Sequence, residues 1–150
     1  MMQYQESRHR HKAAVLRSLL TLFLLELQDM TDQASHRSLS EHTEQLFVSF
    51  IRLLPRHFVQ HHDITFYADE LHITTTYLSR IVRQATGRTV VDFINQLLLM
   101  EASWLLQSTP LSLAAIAERL HFADQPSFSK FFTRMKQASP KAYRVASHEK

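Results

Sequence analysis

Two short helical stretches carry the side chains with the clearest chemical use. Thr76, Ser79, Arg80 and Arg83 fall at i, i+3, i+4 and i+7, along one side of a helix whose other side carries Tyr77, Leu78, Ile81, Val82 and Ala85. Further on, Ser127, Ser129, Lys130 and Arg134 face outward from a second helix that turns Phe128, Phe131, Phe132 and Met135 inward. Short hydroxyls let a helix approach base edges and phosphates closely, and an arginine can bind guanine O6 and N7 bidentately, so both faces suit a major groove of DNA. A solvated surface has a similar composition, but two copies at matching positions favour the groove. Thr75, Thr76 and Gln125 stand at the helix starts, where a recognition helix points into DNA and where capping also selects such residues. Arg80 and Lys130 lead as base or phosphate contacts. Arg83, Arg134, Lys136, Lys141 and Arg144 read as phosphate neutralisers or solvated cations.

Both faces belong to a repeated unit. "ADELHI", Ala68 to Ile73, matches "AERLHF", Ala117 to Phe122, and "YLSRIV", Tyr77 to Val82, matches "SFSKFF", Ser127 to Phe132, at an offset of about fifty residues. Gly87, Thr89 and Phe93 then fall opposite Gln137, Ser139 and Tyr143, and the second copy has one extra residue in its turn. Each copy reads as helix, short turn, helix. In the first, a helix over 64–71 leads through "HITT" into a second over 75–85, with Thr74 as its N-cap and Gly87 past its end. In the second, Ser112 opens a helix through Leu120, Asp124 caps the next, and Pro126 sits in its first turn. Between the copies, residues 91–106 form a helix apolar on nearly every side, roughly 24 Å long at about 1.5 Å per residue. Asp92, Asn95, Gln96 and Glu101 exclude it as a membrane span, so its apolar surface implies packing against both modules.

Two amphipathic helices precede the repeat, about Lys12 to Met30 and about Leu39 to His61, joined by "TDQASHRS". The second carries the stripe Leu46, Phe50, Leu53, Leu54 and Phe58, with Pro55 expected to kink or break it. The apolar run from Val15 to Leu27 is interrupted by Arg17, Ser18, Thr21 and Glu26 and is too short for a bilayer. Arg8, Arg10 and Lys12 precede it without a convincing cleavage site after it. The expected fold is all-α: two helix-turn-helix modules joined by a central helix, divided as 1–62 connector or dimerisation segment, 63–146 double module and 147–150 tail.

With 150 residues, 45% of them hydrophobic, the chain can bury a real core, and one glycine with four prolines fits helices. The absence of cysteine rules out disulfides, thiolate zinc sites and a cysteine nucleophile, and agrees with a reducing compartment. Net charge is only +3, but from Gln125 to Lys150 six Lys or Arg face one acid, Glu149. No phosphate loop, nucleotide fingerprint or nucleophile elbow is present, so no enzyme is expected. Among ten histidines, His57 and His61 are one turn apart with His62 and Asp63 adjacent, but spacing implies no further ligands and no metal is expected. His72 and His121 occupy equivalent turn positions and read as structural, and Trp104 and Tyr143 as core aromatics. The competing class is a helical module that binds another regulator without touching DNA, in keeping with the modest net charge and apolar N-terminal helices.

The stretches "FYADELHITTTYLSRIVRQATGRT" and "LAAIAERLHFADQPSFSKFFTRMKQASPKAYR" closely resemble the DNA-binding domain of AraC/XylS-type bacterial transcription regulators, over about Ile64 to Arg144. The resemblance implies two modules reading adjacent major-groove segments, with Thr75, Thr76, Ser79 and Arg80 as readers in the first and Gln125, Ser127, Ser129 and Lys130 in the second. It further implies a cytoplasmic, nucleoid-associated activator without a cofactor, acting on double-stranded promoter DNA and through RNA polymerase, while the apolar face of Val15 to Leu27 favours either a fragment or a homodimer through the N-terminal helices. Those helices resemble the connector behind a sensing domain, so the chain is expected to be either a fragment of a longer regulator or a short member. Three positions depart from the family pattern. His121 and Gln137 stand where glycine is common, which is expected to alter turn geometry by removing the residue most tolerant of positive φ. Leu98 stands for a frequent arginine and is expected to delete a polar contact.

Overall fold

A computed structural model describes residues 19–23 and 41–148, and the structural statements below concern these. Residues 19–23 are helical; the rest of the expected first helix and the "TDQASHRS" joint lie outside the described residues. Then come α1 (Glu41–His57), α2 (Ile64–Glu70), α3 (Thr75–Thr86), α4 (Val90–Ser108), α5 (Leu113–Arg119), α6 (Gln125–Lys136) and α7 (Pro140–His148), with no strand among the described residues. The architecture is therefore all-α, with α2–α3 and α5–α6 as the two modules and α4 as the central helix.

Helix α1 buries Phe47, Phe50 and Leu54 along one stripe. The helix continues through Pro55, which lies in its last turn, and stops at His57, short of the expected His61. Helix α7 has no counterpart among the helices expected from periodicity. Its signal is local: Ser139 Oγ accepts from Ala142 N–H at 3.1 Å, and Pro140 takes the first helical position.

The chain forms two compact units. The first contains residues 19–23, α1, α2, α3 and the start of α4 through Phe93. Its core centres on Phe50, which meets Tyr67 edge-on at 5.8 Å and Phe93 at 6.3 Å, while Phe23 stacks on Phe47 at 5.9 Å. Burial, with Asp63 nearby, pushes the Tyr67 phenol well above its ordinary range. The second unit contains residues 58–62, α4 from Ile94, and α5 to α7. Its core combines Ile94, Leu97, Leu98, Ala102, Leu105 and Leu106 of α4 with Ile116, Ala117 and Leu120 and the aromatic cluster of α6. Leu98 is thus a core residue: where the family often has arginine, this chain has only 1% of a leucine exposed.

The two modules turn in the same way. Ile73 N–H donates to the Ala68 carbonyl at 3.0 Å and Phe122 N–H to the Ala117 carbonyl at 2.9 Å. These six-residue closures require a left-handed residue just past the helix. His72 (φ 55°) and His121 (φ 57°) supply it, and Gly87 (φ 71°) and Gln137 (φ 58°) do the same past α3 and α6. The expectation that His121 and Gln137 alter the turns is therefore corrected: both adopt the conformation that glycine would. Gln137 recovers part of the cost by donating from its amide to the Arg134 carbonyl at 3.0 Å, and histidine is among the residues enriched in left-handed positions. Helix starts are capped by side chains: Asp63 accepts from Thr65 N–H at 2.8 Å and Ser112 from Ala115 N–H at 3.1 Å. At α4, Thr89 N–H donates to Asp92 at 2.9 Å and Asp92 N–H to Thr89 Oγ1 at 3.1 Å, a reciprocal capping box.

Two outcomes follow from these turns and caps. His121→Gly is expected to stabilise the fold by about 0.5–1 kcal/mol, because the relief of left-handed strain exceeds the added freedom of the unfolded chain; urea unfolding midpoints check this. Hydrogen bonds from Thr89, first from its N–H, hold the Asp92 carboxyl below its ordinary value. A lowered native pKa means that this stabilisation is complete above the unfolded value of about 3.9 and is lost as pH falls below it. Wild-type stability should therefore fall more steeply with acidification than that of Asp92→Asn.

Candidate nucleic-acid interface

In α3 the residues Leu78, Ile81, Val82 and Ala85 are buried, and the 3.6-residue period then turns the opposite face to solvent. Thr75, Thr76, Ser79, Arg80 and Arg83 are all exposed. The N-terminus of this helix is fixed by Thr74, whose hydroxyl accepts from Tyr77 N–H at 3.1 Å. The Arg80 guanidinium lies over the Tyr77 ring, 5.0 Å from its centre.

In α6 the anchor is aromatic. Phe128 packs against Phe122 at 5.5 Å and Phe132 at 6.0 Å, Phe122 against Phe131 at 5.2 Å, and Phe132 edge-on against Tyr143 at 5.2 Å. Gln125, Ser127, Lys130 and Arg134 are exposed, whereas Ser129 is half-buried at the flank of the anchor. Met135 is also half-buried. Asp124 caps the helix, accepting from Ser127 N–H at 2.7 Å. Hydrogen bonding from Ser127, its side chain first and then its N–H, holds the Asp124 carboxyl below its ordinary value. Two exposed residues missing from the expected set share these faces: Gln84 on α3 and Thr133 on α6. Projecting each helix at 100° per residue away from its buried stripe finds both; cation spacing alone does not.

The expected cations separate. Arg83, Arg134, Lys136 and Lys141 are exposed, and Lys136 Nζ lies 5.5 Å from the centre of the Tyr143 ring. Arg144, expected as a phosphate neutraliser or solvated cation, is half-buried and bonded within the protein: its Nε donates to the Leu106 carbonyl at 3.1 Å and its Nη2 to the Leu111 carbonyl at 2.6 Å. It ties α7 to the end of α4 and the segment leading to α5. Tyr143 is half-buried, and its hydroxyl accepts from the Gln107 amide at 2.8 Å. Among the histidines, His57 packs on Phe66 at 4.9 Å, and His62 packs on Phe122 at 5.2 Å while its Nε2 lies 2.9 Å from the Val59 carbonyl oxygen. His72 and His121 are exposed at their turns.

Duplicated helix-turn-helix units, each presenting a polar and basic face above a buried stripe, define a DNA-binding module of the helix-turn-helix class. Residues 67–146 match the family model described as a helix-turn-helix domain, and the chain belongs to the AraC/XylS-type family of DNA-binding transcription regulators. It is similar to the transcriptional activator RhaS of Escherichia coli, 29% identical over 143 residues that cover 95% of this chain and 50% of that protein. It is also similar to the activator RhaR of Cronobacter sakazakii, 32% identical over 82 residues that cover 55% of this chain and 29% of that one. The chain thus spans half or less of these relatives. Among solved structures, the C-terminal domain of AraT, a response regulator from Geobacillus stearothermophilus, superposes with a TM-score of 0.62 at 28% identity, covering 73% of this chain and 88% of that one. The DNA-binding domain of AdpA, crystallised with a target DNA, has the same fold: TM-score 0.62 at 22% identity, covering 68% and 92%.

Arg144→Ala is expected to lower stability by about 1–3 kcal/mol, since two carbonyls lose a charged donor, and to leave the salt dependence of DNA binding unchanged. Melting curves and a salt titration check the two halves; a reduced salt slope would return Arg144 to the phosphate contacts.

Proposed function

We propose that the chain is the DNA-reading part of a sequence-specific transcription activator, in which α3 and α6 enter adjacent major-groove segments. The observation that carries this reading is the repeated division of faces: apolar residues fix each helix, and hydroxyls, amides and cations stand opposite. In this reading residues 63–146 form the DNA-binding part and residues 1–62 a connector that supports a homodimer. Thr75, Thr76, Ser79, Arg80 and Arg83 act from the first module, and Gln125, Ser127, Ser129, Lys130 and Arg134 from the second. Ser129 has the weakest claim, being half-buried. Activation goes with the relatives RhaS and RhaR, both named transcriptional activators, and promoter DNA as partner, contact with RNA polymerase and a cytoplasmic location belong to the same reading.

Footprinting on promoter DNA tests the reading. Two protected major-groove segments about one helical turn apart are expected; protection of one segment would leave one module idle, and none at low salt would sink the reading. Arg80→Ala should weaken binding to the protected site by about 1–3 kcal/mol. Lys130→Ala should lower the salt slope by about one contact.

A further inference from the structure

The leading cations of the two recognition helices are held differently. On α3, Arg80 stands three residues after Tyr77, where helical side chains are neighbours, with its guanidinium carbon 5.0 Å from the ring centre. The tyrosine is half-buried and the arginine exposed, so the cation remains at the surface. The Tyr77 backbone is itself held, its N–H donating to Thr74 Oγ1 at 3.1 Å. The same positions on α6 are Ser127 and Lys130. Ser127 offers no ring, its N–H goes to Asp124, and Lys130 is exposed.

We propose that Tyr77 is a positioning residue that holds Arg80 ready for a guanine, so that base discrimination resides mainly in the first module while Lys130 contributes chiefly charge. This rests on the proposal that α3 and α6 read DNA. A cation over an aromatic face is attracted through its charge, which leaves the planar N–H fork of arginine available to guanine O6 and N7. A side chain already confined on the ring loses less freedom on binding, and that saving appears as affinity for the correct base. Lysine without a ring beside it is a point charge on a flexible stem, suited to a phosphate in any sequence.

The test uses the full chain and two probes: duplexes enriched by the wild-type protein from a randomised library, and scrambled duplexes of the same length. Tyr77→Leu keeps apolar bulk and helix propensity but removes the ring, and Tyr77→Phe keeps the ring. Tyr77→Leu is expected to lower the preference for enriched over scrambled duplex about two- to five-fold, with affinity for scrambled DNA unchanged. Tyr77→Phe should match wild type, and the loss should vanish in an Arg80→Ala background. One guanine in the enriched duplex should be sensitive to replacement by 7-deazaguanine in wild type and insensitive in Arg80→Ala. Lys130→Ala should weaken both duplexes alike. The proposal is overturned if Tyr77→Leu keeps the full preference, weakens both probes equally, or acts independently of Arg80, or if Tyr77→Phe is as harmful as Tyr77→Leu. If the wild-type chain enriches no sequence, the DNA-reading proposal falls together with this one; if it does enrich sequences, those outcomes sink the positioning role alone.

Discussion

Burial of one stripe on each of α3 and α6 is the constraint from which the rest follows. Phe128, Phe131 and Phe132 alone remove enough apolar surface from water to contribute roughly 5–9 kcal/mol, as an upper bound, to holding α6 in place. A single contact on the exposed face contributes far less. The rotation of each helix is therefore set from below, and the polar residues above have no freedom to choose their own orientation. A helix whose outward face is fixed by its inward one can present side chains to a partner without first paying to order itself.

The turns obey a related rule. Each module needs a sharp reversal between two helices, and the six-residue hydrogen-bonded closure provides it only with a left-handed residue at its apex. Glycine would be the least strained choice, yet histidine stands at both module turns and glutamine past α6. Apolar neighbours make this tolerable: Phe122, just past His121, packs on Phe128, Phe131 and His62. The strain is local, and the packing that follows it is not.

How much of this was legible in the sequence depended on whether the signal was periodic or tertiary. The repeat, the buried stripes, the caps at Thr74, Ser112 and Asp124 and the glycine past α3 were legible because each is a local pattern. Arg144 was not: nothing near it in sequence reveals that its acceptors are the carbonyls of Leu106 and Leu111. Helix α7 escaped because nine residues give little more than two turns of periodicity, although Ser139 and Pro140 marked its start. Ser129 holds the position of Ser79 in the repeat, yet it is half-buried where Ser79 is exposed, a difference that residue type does not reveal. His121 and Gln137 were recognised as departures from glycine, but residue type alone could not reveal that both would still adopt a left-handed backbone.

Arg144 also bears on how the second unit comes apart. Its guanidinium joins residues more than thirty positions apart in the chain, so α7 cannot detach at Arg144 without exposing the carbonyl of Leu106 in the last turn of α4 and that of Leu111 before α5. Amide protons of α7 and of the segment before α5 would then exchange in one shared opening event rather than separately. A clasp of this kind makes the last helix part of a cooperative block with the central one, although its own sequence is short.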